Sequence, residues 1–353
     1  MTPAFWSGKR VFLTGHTGFK GSWLTLWLNA LGAKVTGYAI EPPGTPNLYT
    51  LARVAETCAD VRADVRDLDA LTAAMAAAQP DIVIHMAAQA LVRPSYEDPV
   101  GTYATNLMGT VHVLEAMRRA GSARVGLMVT TDKCYENREW HWGYRENEPM
   151  GGHDPYSSSK GCAELATAAY RSSFFGPQSG VAIASARAGN VIGGGDWARD
   201  RLVPDIVTAL AEGRRPMIRY PNAVRPWQHV LEPLGGYLLL CEKLWAEGAA
   251  FAEGWNFGPA DVDCRPVGEV ADRLCAVWGD GAGWQTETQR QPHEAAFLKL
   301  DCSKARARLG WRPVWGLDEG LARVAEWYRG HAGGADARAL VMDQLAAWTD
   351  AAR

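Results

Sequence analysis

Among 353 residues the chain has no C-x-x-C pair, no H-x-x-x-H or H-x-x-E-H spacing, and no apolar run near the roughly 20 residues that span a bilayer. A redox dithiol, a catalytic zinc and a transmembrane helix are therefore not expected. The seven cysteines are scattered and odd in number, as for reduced, mostly buried thiols. An excess of either charge is missing too. Lys+Arg 36 against Asp+Glu 39 leaves a net −3, with no general attraction to nucleic acid polymers or anionic lipid. There is no internal repeat. The first residues run a short apolar stretch straight into glycine-rich sequence, which predicts a first strand and not a signal peptide. A cytoplasmic protein of about two domains is expected, at ~150 residues per domain.

What is present is alternation. Short apolar runs at 11–14, 35–40, 81–85, 125–130 and 181–186 predict buried strands. Between them, Trp23, Leu24, Trp27, Leu28 and Leu31 recur at helical spacing, and further helices are predicted at 102–120 and 156–175. Strands alternating with helices predict an α/β fold with a parallel sheet covered on both faces. After about residue 188 the elements shorten and Gly, Pro, Arg and Trp accumulate. Helices are predicted near 230–246 and 267–278, a strand near 255–257, and a loose connection at 330–339 before a last helix near 340–348. Fifteen tryptophans are unexplained by composition alone.

Gly15, Gly18 and Gly21 form G-x-x-G-x-x-G directly after a predicted strand and before a helix. Glycines there tighten the turn, let backbone N–H groups approach a diphosphate, and let helix and strand pack closely. A purely structural turn is the alternative. At the end of the second strand, where an acid can bond the ribose 2′-hydroxyl, stand Ala39 and then Glu41. No arginine is nearby to hold a 2′-phosphate, and Glu41 would repel one, so NAD is expected over NADP. Asp64 is a candidate adenine contact or a simple turn aspartate.

Tyr156 and Lys160 lie at i and i+4, on one helical face. A lysine ammonium near a phenol lowers its pKa, so the tyrosinate can take a hydroxyl proton while a hydride leaves. Thr130-Thr131, about 25 residues earlier at a strand end, offers a positioning hydroxyl.

With these motifs the chain resembles the extended short-chain dehydrogenase/reductases, and within them the nucleotide-sugar 4,6-dehydratases that use CDP-glucose. The resemblance runs from about residue 5 to 311 and rests on Thr14-Gly15-His16-Thr17-Gly18-Phe19-Lys20-Gly21, Thr130-Thr131-Asp132-Lys133, Asn190, Trp197 and the Arg225-Pro226-Trp227 segment. It implies a Rossmann-type NAD-binding domain at 1–188, with 226–255 returning to it. A smaller mixed α/β nucleotide-sugar-binding domain would comprise 189–225 and 256–353. It also implies a homodimer, or a dimer of dimers, built on the helices at 102–120 and 156–175.

The same resemblance implies roles. Thr131, Tyr156 and Lys160 would carry C4 oxidation. Asp132 would protonate the C6 hydroxyl from a poorly solvated pocket. Lys133 would be the C5 base, which requires it neutral, or else would only orient Asp132. NAD would contact Gly15, Thr17, Gly18, Phe19, Gly21, Glu41, Asp64, Val65, Ala87, Ala88 and Asn106, besides Tyr156 and Lys160. CDP-glucose would contact Ser95, Asn190, Trp197, Arg201, Arg219, Arg225, Asn256 and His293; capping or ladder bonding is the alternative for Ser95 and Asn106. Seven arginines and four acids between 187 and 225 make that segment +3, and arginine's fork suits a diphosphate. Trp140 and Trp142 fall in an insert, where a lid is the one role suggested. A sugar 4-epimerase on the same scaffold needs neither Asp132 nor Lys133, and a non-catalytic binding module needs none of the set.

Overall fold

The computed structural model describes residues 2–287 and 295–353. Seven strands make the main sheet: β1 Arg10–Thr14, β2 Lys34–Ala39, β3 Ala59–Arg62, β4 Ile82–His85, β5 Val125–Val129, β6 Ala182–Ala188 and, after an excursion, β10 Gly254–Phe257. The excursion carries β7 Asn190–Ile192, β8 Met217–Ile218 and β9 Val224–His229; β11 Cys264–Pro266 and β12 Gln285–Thr286 follow β10. The sheet order is β10-β6-β5-β4-β1-β2-β3, and each pair is parallel. β4, β5 and β6 are buried along their whole length, as strands covered on both faces must be. The order reverses beside β1. Such a switch point opens a crevice at the strands' carboxyl ends.

Helices fill both faces: α1 Phe19–Ala30, α2 Leu68–Ala78, α3 Gly109–Ala120, α4 Pro155–Ser173, α5 Leu202–Ala211, α6 Leu231–Glu247, α7 Val267–Trp278, α8 Leu317–Ala332 and α9 Ala337–Ala351. The helix expected at 102–120 is composite: a short helix, Pro99–Tyr103, and a π segment, Ala104–Met108, lead into α3. The loose connection expected at 330–339 is instead a tight turn at 333–336, because α8 continues to Ala332 and the Asp336 side chain caps α9 by accepting from Ala339 N.

Several tryptophans tie α1 and α6 to loops and to the C-terminal helices. Trp27 meets Trp348 edge-on at 5.1 Å, and Trp23 donates to the Gly194 carbonyl at 2.9 Å. Glu232, buried on α6, accepts from Trp348 Nε1 (2.7 Å), Val314 N (2.7 Å) and Trp315 N (3.1 Å). Trp140 is no free lid: it stacks on Tyr144 at 5.4 Å, and Tyr144 stacks on Tyr135 at 5.2 Å. Trp142 remains exposed.

Candidate active site

A cleft of about 1800 Å³ runs across the switch point, from the glycine turn to the α5–β9 region. Gly15 has φ +78°, and a Cβ there would lie 2.7 Å from Ala87 N. A Cβ on Gly21 would lie 2.0 Å from the Gly15 carbonyl oxygen. Only glycine fits at both positions. Thr14 Oγ1 accepts from Met86 N and Ala87 N, each at 3.1 Å, and so fixes the loop after β4 against the turn. This backbone cradle at the head of α1 suits a dinucleotide diphosphate. Thr17, Gly18, Phe19, Glu41, Asp64, Val65, Ala87 and Ala88 all line the cleft with it. The Thr17 hydroxyl donates to the Ile40 carbonyl (3.1 Å), so its side chain shapes the turn.

One expectation at the ribose end needs correcting. An arginine is near: Arg62, on neighbouring β3, lies 3.9 Å from Glu41. It is tied to Asp60 at 3.2 Å and to the Ile40 carbonyl at 3.1 Å, and parallel pairing of β2 with β3 puts it there. Asp64 accepts from Arg66 Nη2 (2.6 Å) and Arg66 N (2.9 Å), which holds its carboxyl below the ordinary range.

In the middle of the cleft, the end of β5 and the first two turns of α4 bring Thr131, Asp132, Lys133, Tyr156 and Lys160 together. Asp154 caps α4 by accepting from Ser157 N at 2.9 Å. Thr131 Oγ1 donates to Asp132 Oδ1 at 3.0 Å and accepts from Lys133 N at 3.3 Å. Asp132 is buried, and its Oδ2 has no partner. The poorly solvated setting expected of it is present. Burial pushes the Tyr156 phenol up to about 12, although its hydrogen bond with Thr131 pulls the other way. The expected lowering by Lys160 is therefore not seen in the protein alone. Burial instead brings Lys160 down to about 8, and its ammonium donates to the Val129 carbonyl at 3.4 Å.

At the far end, Asn190, Trp197, Arg201, Arg219 and Arg225 line the cleft. Asn190 Oδ1 is buried without a partner. Arg201 pairs with Asp196 at 2.9 Å and Arg219 with Asp200 at 2.5 Å. Arg225, largely buried, donates to the carbonyls of Val224 (2.9 Å) and Ala295. The Trp197 ring packs edge-on against Trp327 and Tyr328.

Three expected ligand contacts do not line the cleft. Ser95 is buried and donates to the Val92 carbonyl of its own helix at 2.6 Å. Asn106 accepts from Gln89 N and donates to the Gln89 carbonyl and to Ser159 Oγ, each at 2.9 Å. Asn256 donates to the carbonyls of Tyr144 (2.8 Å) and Asp301 (3.1 Å) and accepts from the Tyr135 hydroxyl (2.7 Å). Each spends its polar atoms on holding segments together. His293 lies outside the described residues. Lys20, unassigned from sequence, does line the cleft; a lysine in the otherwise uncharged first turn of α1 is the signal.

The family model for GDP-mannose 4,6 dehydratase matches residues 12–324. The chain belongs to that family. CDP-glucose 4,6-dehydratase of Salmonella typhimurium is 55% identical over 336 residues, 94% of each chain. dTDP-glucose 4,6-dehydratase of Streptomyces antibioticus is 31% identical over 76% of each. Among solved structures, UDP-glucose 4-epimerase of Thermus thermophilus in complex with NAD superposes with a TM-score of 0.79 at 25% identity, over 91% of this chain and 99% of that one. The family's shared architecture, the short-chain dehydrogenase/reductase fold, thus carries both dehydratases and epimerases. No described helix is long and apolar enough to cross a membrane.

Proposed function

We propose that this chain converts CDP-glucose to CDP-4-keto-6-deoxyglucose and water. The reading is carried by the seating of Asp132 and Lys133 in the same cleft as Tyr156 and Lys160. An acid and a second amine beside the oxidation pair serve elimination and are idle in an epimerase. The 55% identity to a CDP-glucose 4,6-dehydratase supports it. NAD, when bound, supplies the acceptor for the C4 hydride and its return to C6. Tyr156 takes the C4 hydroxyl proton; a positive charge arriving beside the buried phenol lowers its pKa. The resulting 4-ketone acidifies C5. Lys133 removes that proton, Asp132 protonates the C6 hydroxyl, and water leaves. The arginine end of the cleft, with Asn190, takes the nucleoside diphosphate. Residues 1–188 with 226–255 serve the dinucleotide and the remainder the nucleotide sugar, in a cytoplasmic homodimer; the adjacent helices there leave Val100, Met108 and Leu165 exposed.

Incubation with CDP-glucose followed by alkali should give the ultraviolet absorbance of a 4-keto sugar. Turnover to CDP-galactose without that absorbance would favour the epimerase. Competition by dTDP-, GDP- and UDP-glucose tests the base.

A further inference from the structure

Lys20 follows Phe19 in the first turn of α1 and lines the cleft. Its ammonium sits 3.3 Å from the Tyr237 hydroxyl, on α6, and 5.3 Å from that ring's centroid. Among the described residues no carboxylate lies within ion-pair distance of it, whereas Arg93, Arg201 and Arg219 in the same cleft each have one. The charges facing it come from three elements: Lys160 on α4, Arg201 just before α5, and Asp132 after β5. Tyr237, in turn, stands close to Tyr156. Burial, Arg201 and Lys160 together bring the ammonium down to about 7, against the pull of Asp132.

A half-buried cation without a counter-ion is costly, and such groups concentrate where a ligand's charge decides the balance. Its neighbours Lys160, Asp132 and Tyr237 place Lys20 in the middle of the cleft, where a hydride must be exchanged with the sugar. The nicotinamide ring has to reach that part. Oxidised, the ring carries a positive charge; reduced, it carries none.

We propose that Lys20 discriminates between the two redox states of the dinucleotide, its ammonium disfavouring the oxidised ring and leaving the reduced ring held more tightly. This rests on reading the cleft as a dinucleotide site. Its use is evident from the proposed chemistry, because the reduced form must not escape between the two hydride transfers. The same repulsion favours hydride uptake.

The test is the dissociation constants of NAD⁺ and NADH, read by tryptophan fluorescence, for the full chain and for Lys20→Gln and Lys20→Arg. Glutamine keeps a donor for Tyr237 without the charge, and arginine keeps the charge at every pH used. The ratio of the NAD⁺ constant to the NADH constant should fall roughly tenfold in the unaltered protein between about pH 6 and pH 8.5, as expected for one nearby charge partly screened by the protein. Lys20→Gln should show the low ratio at both pH values and Lys20→Arg the high one. An equal loss of affinity for both forms in Lys20→Gln would make Lys20 a diphosphate anchor and overturn the proposal. So would an unchanged ratio, or a ratio in Lys20→Gln that still titrates. Failure of the unaltered protein to bind either form would instead overturn the dinucleotide reading itself, and this proposal with it.

Discussion

Arg187 Nη2 lies 2.7 Å from Glu164 Oε2, with only 6% and 4% of the two side chains exposed. Glu164 stands one turn beyond Lys160 on α4 and also accepts from Ser185 Oγ at 2.6 Å and from Thr130 Oγ1. Arg187 donates onward to the Tyr135 hydroxyl at 2.7 Å. The helix bearing Tyr156 and Lys160 is thereby bolted to the strand end bearing Thr131, through β6. The pair also places a carboxylate near Lys160 that favours its charged form.

Removing one partner leaves a buried charge uncompensated. Arg187→Met should cost about 3–5 kcal/mol in urea unfolding. Adding Glu164→Leu should recover part of that loss, since a neutral pair owes no desolvation. A single-variant loss below about 1 kcal/mol would mean that water or a neighbour compensates the carboxylate.

Asp132→Asn separates oxidation from elimination. The amide keeps the size of the side chain and can still accept from Thr131, but it cannot protonate a leaving hydroxyl. C4 oxidation should persist, seen as reduced-nicotinamide absorbance on mixing with CDP-glucose, while 4-keto-6-deoxy product falls roughly 10²–10⁴-fold. Equal loss of both signals would give Asp132 a role in the first step instead.

Glu232 gives the fold a pH dependence of definite sign. Burial raises its carboxyl from 4.5 to about 7, outweighing the three N–H donors that favour the anion. A raised acid holds its proton in the folded state after the unfolded chain has released it. Its stabilising effect is full below about pH 4.5 and is lost as pH rises through 7, by on the order of 3 kcal/mol. Glu232→Gln should flatten that part of the urea-midpoint profile. An unchanged slope would assign the dependence to another group.

The parts of the fold that were legible in sequence are those whose signal is local. The glycine turn and the Tyr156–Lys160 spacing need only neighbouring residues to be read. β3 carries no such signal, because Ala59–Arg62 is a half-exposed edge strand with no alternation. α8 has a local signal as well: Leu317, Leu321, Val324, Ala325 and Tyr328 recur at helical spacing and are buried. Ser95, Asn106 and Asn256 stay out of the cleft lining for another reason. Resemblance places a residue near a site along the chain, whereas the π segment and the β10 register decide which way its side chain turns. Arg62 was invisible at the ribose end because strand pairing, not sequence distance, brings it to Glu41.

The return of β10 to the sheet has a consequence for synthesis. Until Gly254–Phe257 emerges from the ribosome, β6 has no neighbour on its outer side. It is a seven-residue strand with every position buried in the finished protein, and no charge falls on it before Arg187. Bare apolar edges of this kind recruit other chains. The nascent protein must therefore carry an open, adhesive edge while the whole sugar-side excursion is being made. Truncations ending between β6 and β10 are expected to aggregate, not to yield a free-standing dinucleotide domain.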